Sequence, residues 1–194
     1  MNSGTIAGNT LTISAQPRGG GVCVDNGATF NMRNFATVMG NSAYDGGGVW
    51  VGNGANFFMY DDAVITGNVS TYDGGVYSSG GTITMLGNNT VIKDNTANSL
   101  GGGVIQTFDG VLRVAGGTIY GSTAGSGLAN NSVGDSSASA TLAKNATPNP
   151  ALTAEYGQFV SGSWVPGGSF ATTYNGAWYI TNATLWVISG VLQP

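Results

Sequence analysis

Apolar and polar positions alternate along this chain in short bursts, set off by glycine and asparagine, and the bursts recur. Val22, Val49, Val76 and Val104 open successive units. Phe30, Phe57, Ile83 and Leu112 mark a second burst, with Met32, Met59, Met85 and Val114 two positions on, and Val38, Ile65, Ile92 and Ile119 mark a third. These landmarks keep a period of about 27 residues through four units between Gly19 and Gly127. Alternation with a period of two is the signature of a strand with one buried face, while glycine triplets and β-branched residues oppose a helical repeat. Three short strands per unit, stacked in register, predict an all-β, single-stranded parallel β-helix whose like residues form ladders through a continuous core.

The junctions are as regular as the strands. Asp45-Gly46-Gly47-Gly48-Val49-Trp50-Val51-Gly52-Asn53-Gly54 repeats Gly19-Gly20-Gly21-Val22-Cys23-Val24-Asp25-Asn26-Gly27 one period later, and Gly74-Gly75-Val76-Tyr77 and Gly101-Gly102-Gly103-Val104 follow. Asn41, Asn68 and Asn95 close successive units and predict a hydrogen-bonded amide ladder at a turn, continued by Ser122. The small residues Ala43, Ser70, Ala97 and Ala124 come next.

Thr5-Ile6-Ala7-Gly8-Asn9 matches the last third of a unit, as in Val64-Ile65-Thr66-Gly67-Asn68. The chain is therefore expected to open in mid-coil, either continuing an upstream array or being completed by another chain. An open coil exposes unpaired backbone, and this predicts end-to-end self-association. Residues 1–127 are thus expected to be coils, the first one incomplete. Residues 128–151, rich in Ser, Asn and Ala, are expected to be an irregular excursion, with a short helix over 138–144 as the competing reading. Residues 152–194 turn aromatic, with Tyr156, Phe159, Trp164, Phe170, Tyr174, Trp178, Tyr179 and Trp186. They are expected to form a degenerate coil, suggested by Asn175-Gly176-Ala177-Trp178, and a β cap over the last core layer.

Gly40-Asn41-Ser42-Ala43-Tyr44-Asp45-Gly46-Gly47-Gly48-Val49 and Asp94-Asn95-Thr96-Ala97-Asn98-Ser99-Leu100-Gly101-Gly102-Gly103-Val104 resemble the repeats of bacterial polymorphic outer-membrane proteins, in which Asn-x-Ala is followed by Gly-Gly and an apolar pair. The resemblance covers about the first two thirds of the chain. It implies a right-handed, pectin-lyase-like β-helix and an extracellular or cell-surface location. The ending from Glu155-Tyr156-Gly157 to Gly190-Val191-Leu192-Gln193 resembles the terminus that follows such arrays, which implies a natural C-terminus.

Composition narrows the function. Only 7% of the 194 residues are charged, although hydrophobic content is 41%. That combination argues against disorder and leaves a surface of Asn, Ser, Thr and Gly. A net charge of −4 with five Lys and Arg excludes a phosphate-neutralising patch, so no nucleic acid is expected as partner. No apolar run approaches the ~20 residues of a membrane span, and no membrane insertion or signal peptide is expected. Cys23 stands alone and forms no internal disulfide, and histidine is absent. No cofactor, metal site or catalytic set is expected.

The residues that could carry chemistry lie on one side. Cys23, Trp50, Tyr77 and Ile105 form the outward column of the first strand, where stacked aromatics suit a glycan. The competing reading is that the C-terminal segment or a neighbouring subunit packs over this stripe. Asp45 and Asp73 precede successive glycine runs and stand one coil apart, so Trp50, Tyr77, Asp45 and Asp73 are the candidate ligand-binding residues. As a carboxylate pair, Asp45 and Asp73 could serve glycoside hydrolysis, but turn capping accounts for them as well. Calcium takes six to eight oxygens, and Leu100 interrupts the column. Asp61 and Asp62 are adjacent in sequence and diverge on a strand. None of Arg18, Arg33, Lys93, Arg113 and Lys144 is expected to align with the Asp45 column, which leaves a lyase without its base. An ice-binding array would use Ser42, Val69, Thr96 and Thr123 with Thr37 and Thr118, but Met39, Val64, Val91, Lys93 and Tyr120 break it. The expected function is a non-enzymatic structural or interaction module of a secreted or surface bacterial protein: a stalk, adhesin or filament unit with self, host or glycan partners. A carbohydrate-binding or polysaccharide-degrading β-helix is the first alternative and an ice-binding solenoid the second.

Overall fold

Each coil has four strands, one more than the alternation predicts. In the computed structural model, which describes residues 1–12, 15–99, 101–121, 132–133, 142–145, 153–170, 173–175, 178–181 and 183–194, the chain enters with β1 (Thr5–Ala7). The first full coil is β2 (Val22–Val24), β3 (Thr29–Met32), β4 (Thr37–Met39) and β5 (Ser42–Asp45). The second is β6 (Val49–Val51), β7 (Asn56–Met59), β8 (Val64–Thr66) and β9 (Val69–Asp73). The third is β10 (Val76–Ser79), β11 (Thr82–Met85), β12 (Val91–Lys93) and β13 (Thr96–Ala97). The fourth is β14 (Val104–Thr107), β15 (Val111–Val114), β16 (Gly117–Ile119) and β17 (Ser132–Val133). The last strands are β18 (Leu142–Asn145), β19 (Thr153–Val160), β20 (Ser163–Ser169), β21 (Thr173–Asn175), β22 (Trp178–Thr181), β23 (Leu185–Ile188) and β24 (Val191–Leu192). No helix occurs among the described residues, and the stack is a parallel β-solenoid of about four turns with roughly 27-residue spacing.

Equivalent strands of successive coils pair in parallel and in register. The first ladder aligns Val22, Val49, Val76 and Val104. The second aligns Phe30, Phe57, Ile83 and Leu112, with Met32, Met59, Met85 and Val114 beside them. The third aligns Ile6, Val38, Ile65, Ile92 and Ile119, so the opening residues do occupy the third-strand position. Val49, Phe57, Met59, Ile65, Ile83, Met85 and Ile92 are fully buried. Each such side chain contributes roughly 1.5–3 kcal/mol relative to exposure.

The fourth ladder, β5-β9-β13-β17, lies just past the asparagine turn. Its inward residues Ala43, Ser70 and Ala97 are small and buried, and the glycine runs approach this ladder closely: a Cβ on Gly20 would meet the Ser42 carbonyl and one on Gly47 the Val69 carbonyl. Thr96 and Ala97 pair with Ser132 and Val133, and Thr123 and Ala124, expected to follow Thr96 and Ala97 one period on, lie outside the described segments. The register lost after Gly127 thus comes from an insertion between the third and fourth strands of one coil. The segment 128–151 is not wholly irregular, because β17 and β18 continue two ladders, and Leu142–Asn145 is strand where a helix was the competing reading.

At the far end the direction of the chain reverses. β19 still runs parallel to β15, but β22 is antiparallel to β18, β23 to β16 and β20 to β19. β21 and β22 therefore form an antiparallel ribbon, not a further coil. Tyr156 continues the methionine column and tilts against buried Phe170 at 5.8 Å between ring centroids, covering the last core layer.

Candidate functional site

The candidate residues meet where the fourth ladder turns into the first. Asp45 ends β5 and Asp73 ends β9, and the two are in register across a bulge that gives β9 one extra residue. Each is followed by a glycine in the left-handed region, Gly46 at φ +59° and Gly74 at φ +70°, and then by the first-ladder strand that carries Trp50 or Tyr77. Trp50 pairs with Cys23 on one side and Tyr77 on the other, and Tyr77 pairs with Ile105.

Arg18 joins this group, contrary to the sequence expectation. It forms a parallel bridge with Asp45, and its guanidinium lies 5.1 Å from the centroid of the Trp50 ring. The repeat period could not place it because the first coil is irregular. Thr10 bridges to Ser42 and Arg18 to Asp45, so a longer stretch of chain lies along a shorter one. Backbone bonds from Tyr44 and Asp45 N–H to the Pro17 carbonyl hold it there.

The two carboxylates are buried, Asp45 at 9% and Asp73 at 5% exposure. Burial, reinforced by the charge of Asp73, pushes the Asp45 carboxyl up to about 6 against the lowering effect of Arg18. Burial also pushes the Tyr77 phenol up, although Thr107 donates a hydrogen bond to its oxygen at 3.2 Å. The site is therefore an acid pair, a guanidinium and a phenol in partial contact with solvent.

The aromatic column is not an open platform. Cys23 is exposed and Tyr77 half-buried, but Trp50 is only 5% exposed and Ile105 fully buried. The described cap strands extend the ends of the sheets, while the glycine turns fold tightly against this column: a side chain on Gly101 would meet Ile105. Trp50 lies over Gly52, where any Cβ would collide with the ring.

The asparagine turn is an unbroken amide chain. Asn41 donates through backbone N–H and Nδ2 to Oδ1 of Asn68, both at 3.0 Å, and Asn68 donates likewise to Asn95 at 3.0 and 2.9 Å. Asn9 adds a fourth rung by donating to Oδ1 of Asn41. All three of Asn41, Asn68 and Asn95 are fully buried. Asp61 and Asp62 serve a different turn: Asp61 accepts from the Asn34 N–H and Asp62 from the Asn89 amide, so one reaches the coil before and the other the coil after. No cluster of three metal-ligating side chains occurs among the described residues. Leu100, which would interrupt an acidic column, lies outside them. No protein-family model, curated protein or solved structure matches the chain.

Proposed function

We propose that the chain is a structural and interaction module of a secreted or cell-surface bacterial protein, a stalk, adhesin or filament unit, and that it associates end to end. The observation that carries this reading is the contrast between the two ends of the stack. β1, β2 and β3 each have a single neighbouring strand, and although Met1 bonds to the Asn31 carbonyl and the Arg33 N–H on the outer edge of β3, Met1, Ile6 and Phe30 leave the core only partly covered there. The other end is overlaid by antiparallel strands with buried Phe170. A half-covered core layer rimmed by edge strands favours strand addition by a second copy. Surface location and bacterial source rest on the resemblance of the Asn-x-Ala and Gly-Gly repeats alone.

Sedimentation equilibrium over a wide concentration range tests the association. The mass is expected to rise with concentration, and the double variant Ile6→Lys/Phe30→Lys is expected to stay monomeric with an unchanged circular dichroism spectrum. A constant monomer mass for the unmodified chain overturns the reading.

A second reading, a polysaccharide-degrading β-helix, is favoured by the raised carboxyl of Asp45 beside Asp73, since a protonated acid next to a carboxylate is what glycoside cleavage uses. The burial of Trp50 removes the sugar platform that this reading would use. A hydrolysis and lyase screen with Asp45→Asn as control decides it, and turnover that the variant abolishes would establish it.

A further inference from the structure

A cleft of about 470 Å³ opens on the outer face of the third ladder, beside the cap and away from the Asp45 cluster. Its floor is a row of side chains from three adjacent strands. Thr118 on β16 is in register with Val91 on β12 and with Trp186 on β23. The next residues inward, Ile92, Ile119 and Leu185, are buried in the core, so this row faces out. Three strands at 4.7–4.9 Å spacing make the floor about 10 Å across. Tyr120 extends it, and Trp186 is 43% exposed, unlike buried Trp50.

One wall is built from amides. Asn88 and Asn89 line the cleft from the turn before β12. Oδ1 of Asn88 accepts the Ser189 N–H at 3.0 Å, and Nδ2 of Asn89 donates to Asp62 at 2.9 Å, so both side chains are held before any ligand arrives. At the end of the cleft the Thr184 hydroxyl accepts the Gly121 N–H. No carboxylate, ammonium or guanidinium is among the described lining residues.

We propose that this cleft binds a neutral saccharide. An exposed indole beside a phenol offers a flat apolar face to the C–H side of a sugar ring, and fixed amides and hydroxyls match its alternating hydroxyls. The volume lies in the range of small-ligand sites, with an apolar floor and a few placed polar groups. The described lining carries no charge, which disfavours uronates, sulfated glycans and phosphates, and the amide wall disfavours a purely apolar ligand. The inference goes beyond the end-to-end association, which uses the β1–β3 end, so the two fail separately.

The test is an array of neutral and anionic oligosaccharides probed with the full chain, followed by calorimetric titration of the best neutral binder. Binding of a neutral glycan is expected, reduced at least about tenfold in Trp186→Ala and partly retained in Trp186→Tyr. Thr118→Lys, which fills the floor from a half-buried strand position, is expected to abolish binding while the thermal transition stays cooperative. Phe108→Ser, at the exposed turn between β14 and β15, is expected to leave the affinity unchanged. The proposal is overturned if no neutral glycan binds, if only anionic glycans bind, or if binding survives both Trp186→Ala and Thr118→Lys.

Discussion

Asn68 sits at the middle of the amide chain with every polar atom engaged. Its Oδ1 accepts twice from Asn41, and its Nδ2 reaches the carbonyls of Val38 and Thr66 as well as Asn95. Asn68→Ala leaves the buried Asn41 N–H without an acceptor, an omission worth about 1–3 kcal/mol. Urea melts are expected to show a loss of that size, and Asn68→Asp is expected to lose more because it places a charge in the same turn. Asp45 makes a prediction of opposite character. Its folded value of about 6 exceeds the ordinary 3.8, so the folded chain takes up a proton between those values and stability rises as pH falls from 7 toward 4. Solvent screens the pair, which reduces the gain to about 1–2 kcal/mol. Asp45→Asn is expected to be more stable than the unmodified chain at pH 7 and to show a flatter profile. A variant less stable at pH 7 with an unchanged slope contradicts the assignment.

At the scale of elements, the glycine triplet is where sequence and geometry are most tightly coupled. Gly46 needs its positive φ, whereas Gly47 needs its missing side chain, because a Cβ there would collide with the Val69 carbonyl of the next coil. Gly47→Ala is expected to cost more than about 2 kcal/mol in a thermal or denaturant melt. A near-neutral effect would mean that the coils pack less closely than described. These junctions and the inward columns were legible in the sequence because each core strand alternates cleanly and each turn demands glycine or asparagine. The fourth ladder was not legible. Its buried positions are Ala43, Ser70 and Ala97 with Asp45 and Asp73, which give no apolar alternation, and the bulge in β9 shifts Asp73 by one residue. One signal was present in the pair Tyr44 and Tyr72, which precede the two aspartates and stack at 5.3 Å between ring centroids. Arg18 was missed for a related reason, since a periodic argument places only residues inside regular coils. The sequence did single out Trp50, and the structure turns that residue from a candidate platform into a packed one. Trp186, with no repeat to mark it, carries the exposed indole.

For the whole molecule, the described strands form a stack overlaid by antiparallel strands at one end and bounded by the edge strands β1, β2 and β3 at the other. An end bounded by edge strands suits a unit that extends by strand addition. The claim that this end is the contact surface is tested most directly by hydrogen exchange on the amides of β1, β2 and β3, measured at low and high protein concentration. Protection of Thr5–Ala7, Val22–Val24 and Thr29–Met32 is expected to rise with concentration while that of Asn56–Met59, inside the stack, stays constant. Protection that is independent of concentration at the β1–β3 end, or that rises only elsewhere, contradicts it.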